Sequence, residues 1–97
     1  LIQPVRCKVI LSHFLIGPPN ASFESLKTVE SHPVALAQCE RFFAAHPDLI
    51  GVAADDTAGS VKRAIESGDA SRAAIGGKRT AAIYGGKILR EHIDDQA

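Results

Sequence analysis

The chain has 97 residues, 11 basic and 11 acidic side chains, zero formal net charge, 45% hydrophobic residues and only 5% aromatic ones. That length suits one small core, and the aliphatic, aromatic-poor composition suits a helix-covered parallel sheet. Neutrality without a basic run argues against nucleic acid, no apolar stretch approaches the ~20 residues of a membrane helix, and no signal peptide is visible, so the expected setting is cytoplasmic.

Val5, Cys7, Val9 and Leu11 alternate with Arg6, Lys8 and Ile10, which predicts a strand over about 5–12. Gly17-Pro18-Pro19-Asn20 then breaks regular structure and marks a loop. No crossover helix follows, so this first strand need not run parallel to the others. Residues 26–30 read as the next strand, ending in the polar turn Ser31-His32. Pro33 opens a helix to about residue 45, because proline at a first helical position loses no intrahelical bond and its fixed φ suits a helix start. Leu36, Cys39 and Phe43 fall at i, i+3 and i+7 and give that helix one core-facing stripe. His46-Pro47-Asp48 stops it, since proline disfavours helical geometry in the preceding residue.

The apolar run 49–54 predicts a strand buried on both faces. Asp55 or Asp56 would cap a helix that carries Val61, Ala64 and Ile65 and ends at Gly68. Residues 72–76 predict a further strand, 77–84 a helix closed by Gly85-Gly86, and 87–93 a last strand. The resulting order, β-loop-βαβαβαβ, implies a mixed sheet of about five strands covered by helices.

Cys7 and Cys39 read as two buried, reduced thiols rather than a disulfide. His13, His32, His46 and His92 lack metal-ligand spacing and there is no Cys-x-x-Cys, so no metal is expected. Asn20-Ala21-Ser22 matches a glycosylation acceptor of a kind common by chance.

Parallel strands deliver their following turns to one carboxyl edge, where ligands bind in open α/β sheets. Here those turns are Ser31-His32, Asp55-Asp56-Thr57 and Gly76-Gly77-Lys78-Arg79-Thr80. Helix N-termini there present free N–H groups that suit carboxylates. Each piece also has a plainer role: Ser31, Asp55 and Asp56 as helix caps, His32 as a partly buried histidine, Gln38 as a surface residue, and Lys78 and Arg79 as solvated cations.

Ser31-His32-Pro33-Val34-Ala35-Leu36-Ala37-Gln38-Cys39 resembles the Ser-His-Pro-Gln-Ala-Leu-x-Gln-Cys motif of prephenate dehydratases, departing from it at Val34. The likeness runs in order along the chain. Val9 to Leu15 is similar to the family's strand ending in His-x-Leu, and Asp56-Thr57-Ala58 to its Ser-Thr-Ala turn. Ala73-Ala74-Ile75-Gly76 resembles a strand end, Ala81 to Gly86 the pattern Ala-x-x-Tyr-Gly-Leu with Gly86 for leucine, and Ile93-Asp94-Asp95 the Ile-x-Asp that precedes Asn-x-Thr-Arg-Phe.

The resemblance implies a type 2 periplasmic-binding-protein-like fold of two α/β lobes around a cleft, with residues 1–97 as the second, inserted lobe and a fragment of a longer chain. The first strand would then enter from the other lobe and lie antiparallel inside the sheet. The implied activity is the lyase conversion of prephenate to phenylpyruvate in phenylalanine biosynthesis, by loss of carbon dioxide and the ring hydroxyl, without a cofactor. The implied partners are the prephenate substrate, the other lobe and further copies of the parent. The implied substrate-binding residues are Ser31, His32, Gln38, Thr57, Ala58 and Gly76, while the acid that protonates the departing hydroxyl belongs to the Thr-Arg-Phe segment beyond Ala97. Asp56 puts a charge where the family has serine, which weakens binding of a dianion unless Lys78 or Arg79 compensates. A non-enzymatic ligand-binding lobe of a solute receptor or regulator is the alternative.

Overall fold

A computed structural model describes residues 13–54 and 57–95. The strand expected over 5–12, its Cys7, and the expected Asp55 or Asp56 cap lie outside these residues. The described chain forms β1 (Phe14–Gly17), a short 3-10 turn, β2 (Thr28–Ser31), α1 (Pro33–Ala37), α2 (Glu40–Ala45), β3 (Ile50–Ala53), α3 (Thr57–Ser67), β4 (Arg72–Gly76), α4 (Lys78–Tyr84) and β5 (Lys87–Arg90). The five strands make one sheet in the order β3-β2-β4-β1-β5. β2 runs parallel to β3 and β4, while β1 lies antiparallel between β4 and β5. The mixed five-stranded sheet is as expected; its inner antiparallel strand lies at Phe14–Gly17, after the stretch expected to be the first strand, and takes in Gly17, which the sequence reading gave to a loop.

Strand alternation splits the core in two. On one face Leu15, Val29, Ala73 and Ile75 pack with Ala35 and Cys39, and Leu36 and Phe43 lie against them. The predicted stripe of the 33–45 segment therefore does face the core. On the other face Phe14, Ile16 and Ala74 pack with Val61 and Ala64 of α3 and Ala81 of α4, with Ile65 against them. At about 25 cal/mol per Å² of apolar surface removed from water, these two layers supply the main drive for folding. Left-handed glycines end α3 and α4, Gly68 at φ 64° and Gly85 at φ 72°, a conformation that side chains disfavour.

Four expectations need correction. The single helix over 33–45 is two helices broken at Gln38 and Cys39. The Gln38 carbonyl accepts the Asp95 N–H at 2.6 Å, and the Asp95 carboxylate accepts the Arg41 N–H at 2.9 Å, so a distant residue takes the groups the helix would have paired internally. Second, β2 runs to Ser31 instead of stopping at Glu30, because the Ser31 carbonyl accepts the Ala54 N–H at 2.8 Å and extends the ladder to β3.

Third, β3 is exposed along its length rather than buried on both faces. It is an edge strand, and α3 packs chiefly over β4, β2 and β1. Gly51 faces Leu36 and Phe43, which leaves Ile50 62% and Val52 41% exposed on the other face. Fourth, β5 stops at Arg90. A register shift opposite Leu15 and Ile16 bends it, His92 takes φ 53°, and the Ile93 N–H then reaches the His13 carbonyl at 3.0 Å.

Candidate functional site

The carboxyl ends of β2, β3, β4 and β5 share one edge, and the antiparallel β1 adds its amino end to the same place. Phe14 pairs with Gly76 and Leu15 with Arg90, which brings His13 beside the ends of β4 and β5. Because Glu30 pairs with Ala74, Ser31 and Gly76 end neighbouring strands about 6 Å apart, from strand spacing and rise. Ser31 also pairs with Ala53 of β3, from which the chain leads to Thr57 and Ala58 at the start of α3. Ser31, Thr57 and Gly76 thus belong to one edge, as the sequence led us to expect.

Ser31 is fully buried, and its hydroxyl has no hydrogen-bond partner among the described residues. It is not the helix cap. That role falls to His32, whose Nδ1 accepts the Val34 N–H at 3.1 Å. Val34, where the family motif has glutamine, is exposed on α1. Gln38 is half-buried and its Oε1 lies 2.6 Å from the His13 Nε2. Thr57 and Ala58 form the first turn of the 11-residue α3, whose leading N–H groups are without intrahelical carbonyls. Gly76 is buried against α3; a Cβ there would sit 2.6 Å from the Val61 Cγ2. Lys78 and Arg79 are exposed on the first turn of α4.

Three residues at this edge carried no role in the sequence reading. His13 anchors the edge through its N–H, which donates to the Asp94 carboxylate at 3.1 Å. Asp94 is itself buried, and Asp95 bridges Gln38 and Arg41. Their sequence signal was the His-x-Leu and Ile-x-Asp motifs, which say that the positions matter without saying what they touch. Burial, followed by the Asp94 and Asp95 carboxylates, pushes the Cys39 thiol up to about 12 from 9.0. Cys39 is accordingly a neutral packing residue beneath the edge, free of any disulfide. Among the described residues no three His, Cys, Asp or Glu side chains gather as a metal site would require, and no helix is long and apolar enough to cross a membrane. A cavity of about 520 Å³ lined by Phe23, Leu26, His46, Leu49 and Arg90 lies near the starts of β2 and β3.

The family model for prephenate dehydratase matches residues 6–97. The chain belongs to the prephenate dehydratase family. It is 43% identical over 86 residues to a prephenate dehydratase of Methanocaldococcus jannaschii, covering 88% of this chain and 30% of the relative. It is 36% identical over 88 residues to the chloroplastic arogenate dehydratase/prephenate dehydratase 2 of Arabidopsis thaliana, covering 91% and 23%. Among solved structures, one described as GqqA, a novel type of quorum quenching acylase, superposes with a TM-score of 0.83 at 29% identity, covering 88% of this chain and 31% of that one. The Arthrobacter aurescens prephenate dehydratase in complex with L-Phe gives 0.79 at 29% identity, covering 88% and 28%. The chain spans less than a third of the length of these proteins. Its α/β sheet has the periplasmic-binding-protein-like fold of the dehydratase structures.

Proposed function

We propose that this chain is the substrate-binding lobe of a prephenate dehydratase, the lyase that converts prephenate to phenylpyruvate in phenylalanine biosynthesis. The observation that carries the reading is the ordered family match over residues 6–97 together with a buried Ser31 hydroxyl that has no partner among the described residues, at the edge where the family motif falls. A buried hydroxyl without a partner is uncommon, since it forfeits its hydrogen bonds to water. A substrate oxygen would restore one.

The lobe's share of the work is binding and orientation. Thr57 and Ala58 offer helix N–H groups to a carboxylate, and Gln38 offers an amide. Ser31 and Gly76 form the floor, the glycine letting α3 pack close beneath it through Val61, while His32 fixes the entry of α1. Aromatisation supplies the driving force and no cofactor is needed. The acid for the departing hydroxyl comes from outside residues 1–97, as does the opposing cleft wall. The other lobe and further copies of the chain are the expected partners. We place the enzyme in the cytoplasm; the chloroplastic name of the Arabidopsis relative makes a plastid the alternative compartment.

The test is turnover by the full-length enzyme that carries this lobe, with prephenate and arogenate compared side by side. Formation of phenylpyruvate from prephenate is the expected result, and preference for arogenate would change the substrate but keep the reaction class. Residues 1–97 alone should show no turnover, because effective catalysis needs groups from both walls held in register. Turnover of neither substrate, with activity in an acylase assay instead, would move the assignment to the chemistry named for the acylase neighbour.

A further inference from the structure

We propose that His13 is a positioning residue that holds the Gln38 side-chain amide with its NH2 group toward the carboxylate of an anionic substrate. The proposal rests on the dehydratase reading of this edge. His13 is itself held at two points: its N–H donates to the Asp94 Oδ1 at 3.1 Å and its carbonyl accepts the Ile93 N–H at 3.0 Å. Its ring then reaches a segment far along the chain, with Nε2 at 2.6 Å from the Gln38 Oε1. A carbonyl oxygen only accepts, so the imidazole must carry its proton on Nε2.

Gln38 is tethered through its backbone as well. Its N–H donates to the Val34 and Ala35 carbonyls at 3.1 and 3.2 Å, and its carbonyl accepts the Asp95 N–H at 2.6 Å. What remains free is the rotation that exchanges the two ends of the amide. Unconstrained, either end could face a ligand. With Oε1 tied to His13, the NH2 donors are the end available to a substrate. Two N–H donors suit a carboxylate or hydroxyl, whereas the reversed amide would set carbonyl lone pairs against an anion. His13 acts through Gln38 and need not touch substrate itself.

The experiment is a double-mutant cycle in the full-length enzyme, with prephenate as the probe. His13→Phe should lower kcat/KM about tenfold, mainly through KM, the scale of one lost neutral hydrogen bond. His13→Gln, which keeps a donor, should recover most of that loss. In a Gln38→Leu background, His13→Phe should change kcat/KM by less than about twofold. ¹⁵N-histidine NMR of the unmutated enzyme should show His13 as the Nε2–H tautomer, a readout that does not depend on any variant folding. An undiminished loss in the Gln38→Leu background, or the Nδ1–H tautomer, would overturn the proposal. Absence of wild-type turnover would sink the dehydratase reading and the substrate half of this one, while the tautomer separately decides which way the amide is held.

Discussion

Asp95 and Gln38 are joined backbone to backbone at 2.6 Å, and that bond ends α1. The same residue starts α2, since its carboxylate accepts the Arg41 N–H at 2.9 Å. Asp95 is thus an N-terminal cap supplied from outside the helix. Asp95→Ala should destabilise the fold by about 1 kcal/mol, the usual worth of such a cap, while Asp95→Asn keeps an acceptor and should recover most of it. Urea unfolding of the three proteins decides the matter; an alanine variant as stable as wild type would show that the carboxylate caps nothing.

Gly76 is required by space rather than by backbone conformation. A Cβ would meet the Val61 Cγ2 at 2.6 Å and the Ile16 Cδ1 at 3.4 Å, and both neighbours are fully buried. Valine is stiff about its first torsion and cannot swing aside. Gly76→Ala should lower stability by about 1–3 kcal/mol. Adding Val61→Ala should make the combined loss smaller than the sum of the single losses, because the second change opens the space the first one needs. Simple additivity in denaturation experiments would count against a direct clash.

Ser31 separates stability from function. Its hydroxyl is buried without a partner among the described residues, so Ser31→Ala removes an unmet hydrogen-bonding group and should leave stability unchanged or raise it slightly. The same variant of the full-length enzyme should lose up to about a hundredfold in kcat/KM if the hydroxyl contacts substrate. Loss of both properties together would mean that Ser31 is a structural residue.

Cys39 should make the fold sensitive to alkali. Its thiol is pushed up to about 12 from 9.0 by burial and then by the Asp94 and Asp95 carboxylates. The folded protein therefore holds this proton more tightly than the unfolded chain does. The contribution to stability is fully present below the unfolded value and is lost as pH rises through the window from 9.0 toward about 12. Denaturation midpoints taken from about pH 8 to about pH 10.5 should fall, and Cys39→Ala should remove part of that fall. An identical slope in the variant would show that other groups cause it.

How much was legible in the sequence depends on how far each residue's determinants lie along the chain. Gly68 and Gly85 marked helix ends because a left-handed φ is a local demand. The strand 72–76 and the helix that follows it were readable for the same reason: pattern and glycine punctuation settle them within a few residues. The Ser31 to Cys39 run carried the family and, through the parallel strand order, the edge on which a site would form. Ile50 and Val52 show where such reading stops. Their apolarity is the same at an edge as in a core, and the position of β3 at the end of the sheet is what exposes them. The break at Gln38 and Cys39 was invisible because its cause is Asp95, and Asp95 arrives only after the chain has closed the sheet around β1. His13 and Gln38 meet on the same terms. The sequence by itself determined the order of elements and the residues available to the site; tertiary structure alone decided their neighbours, because hydrogen bonds and burial depend on distances that folding creates.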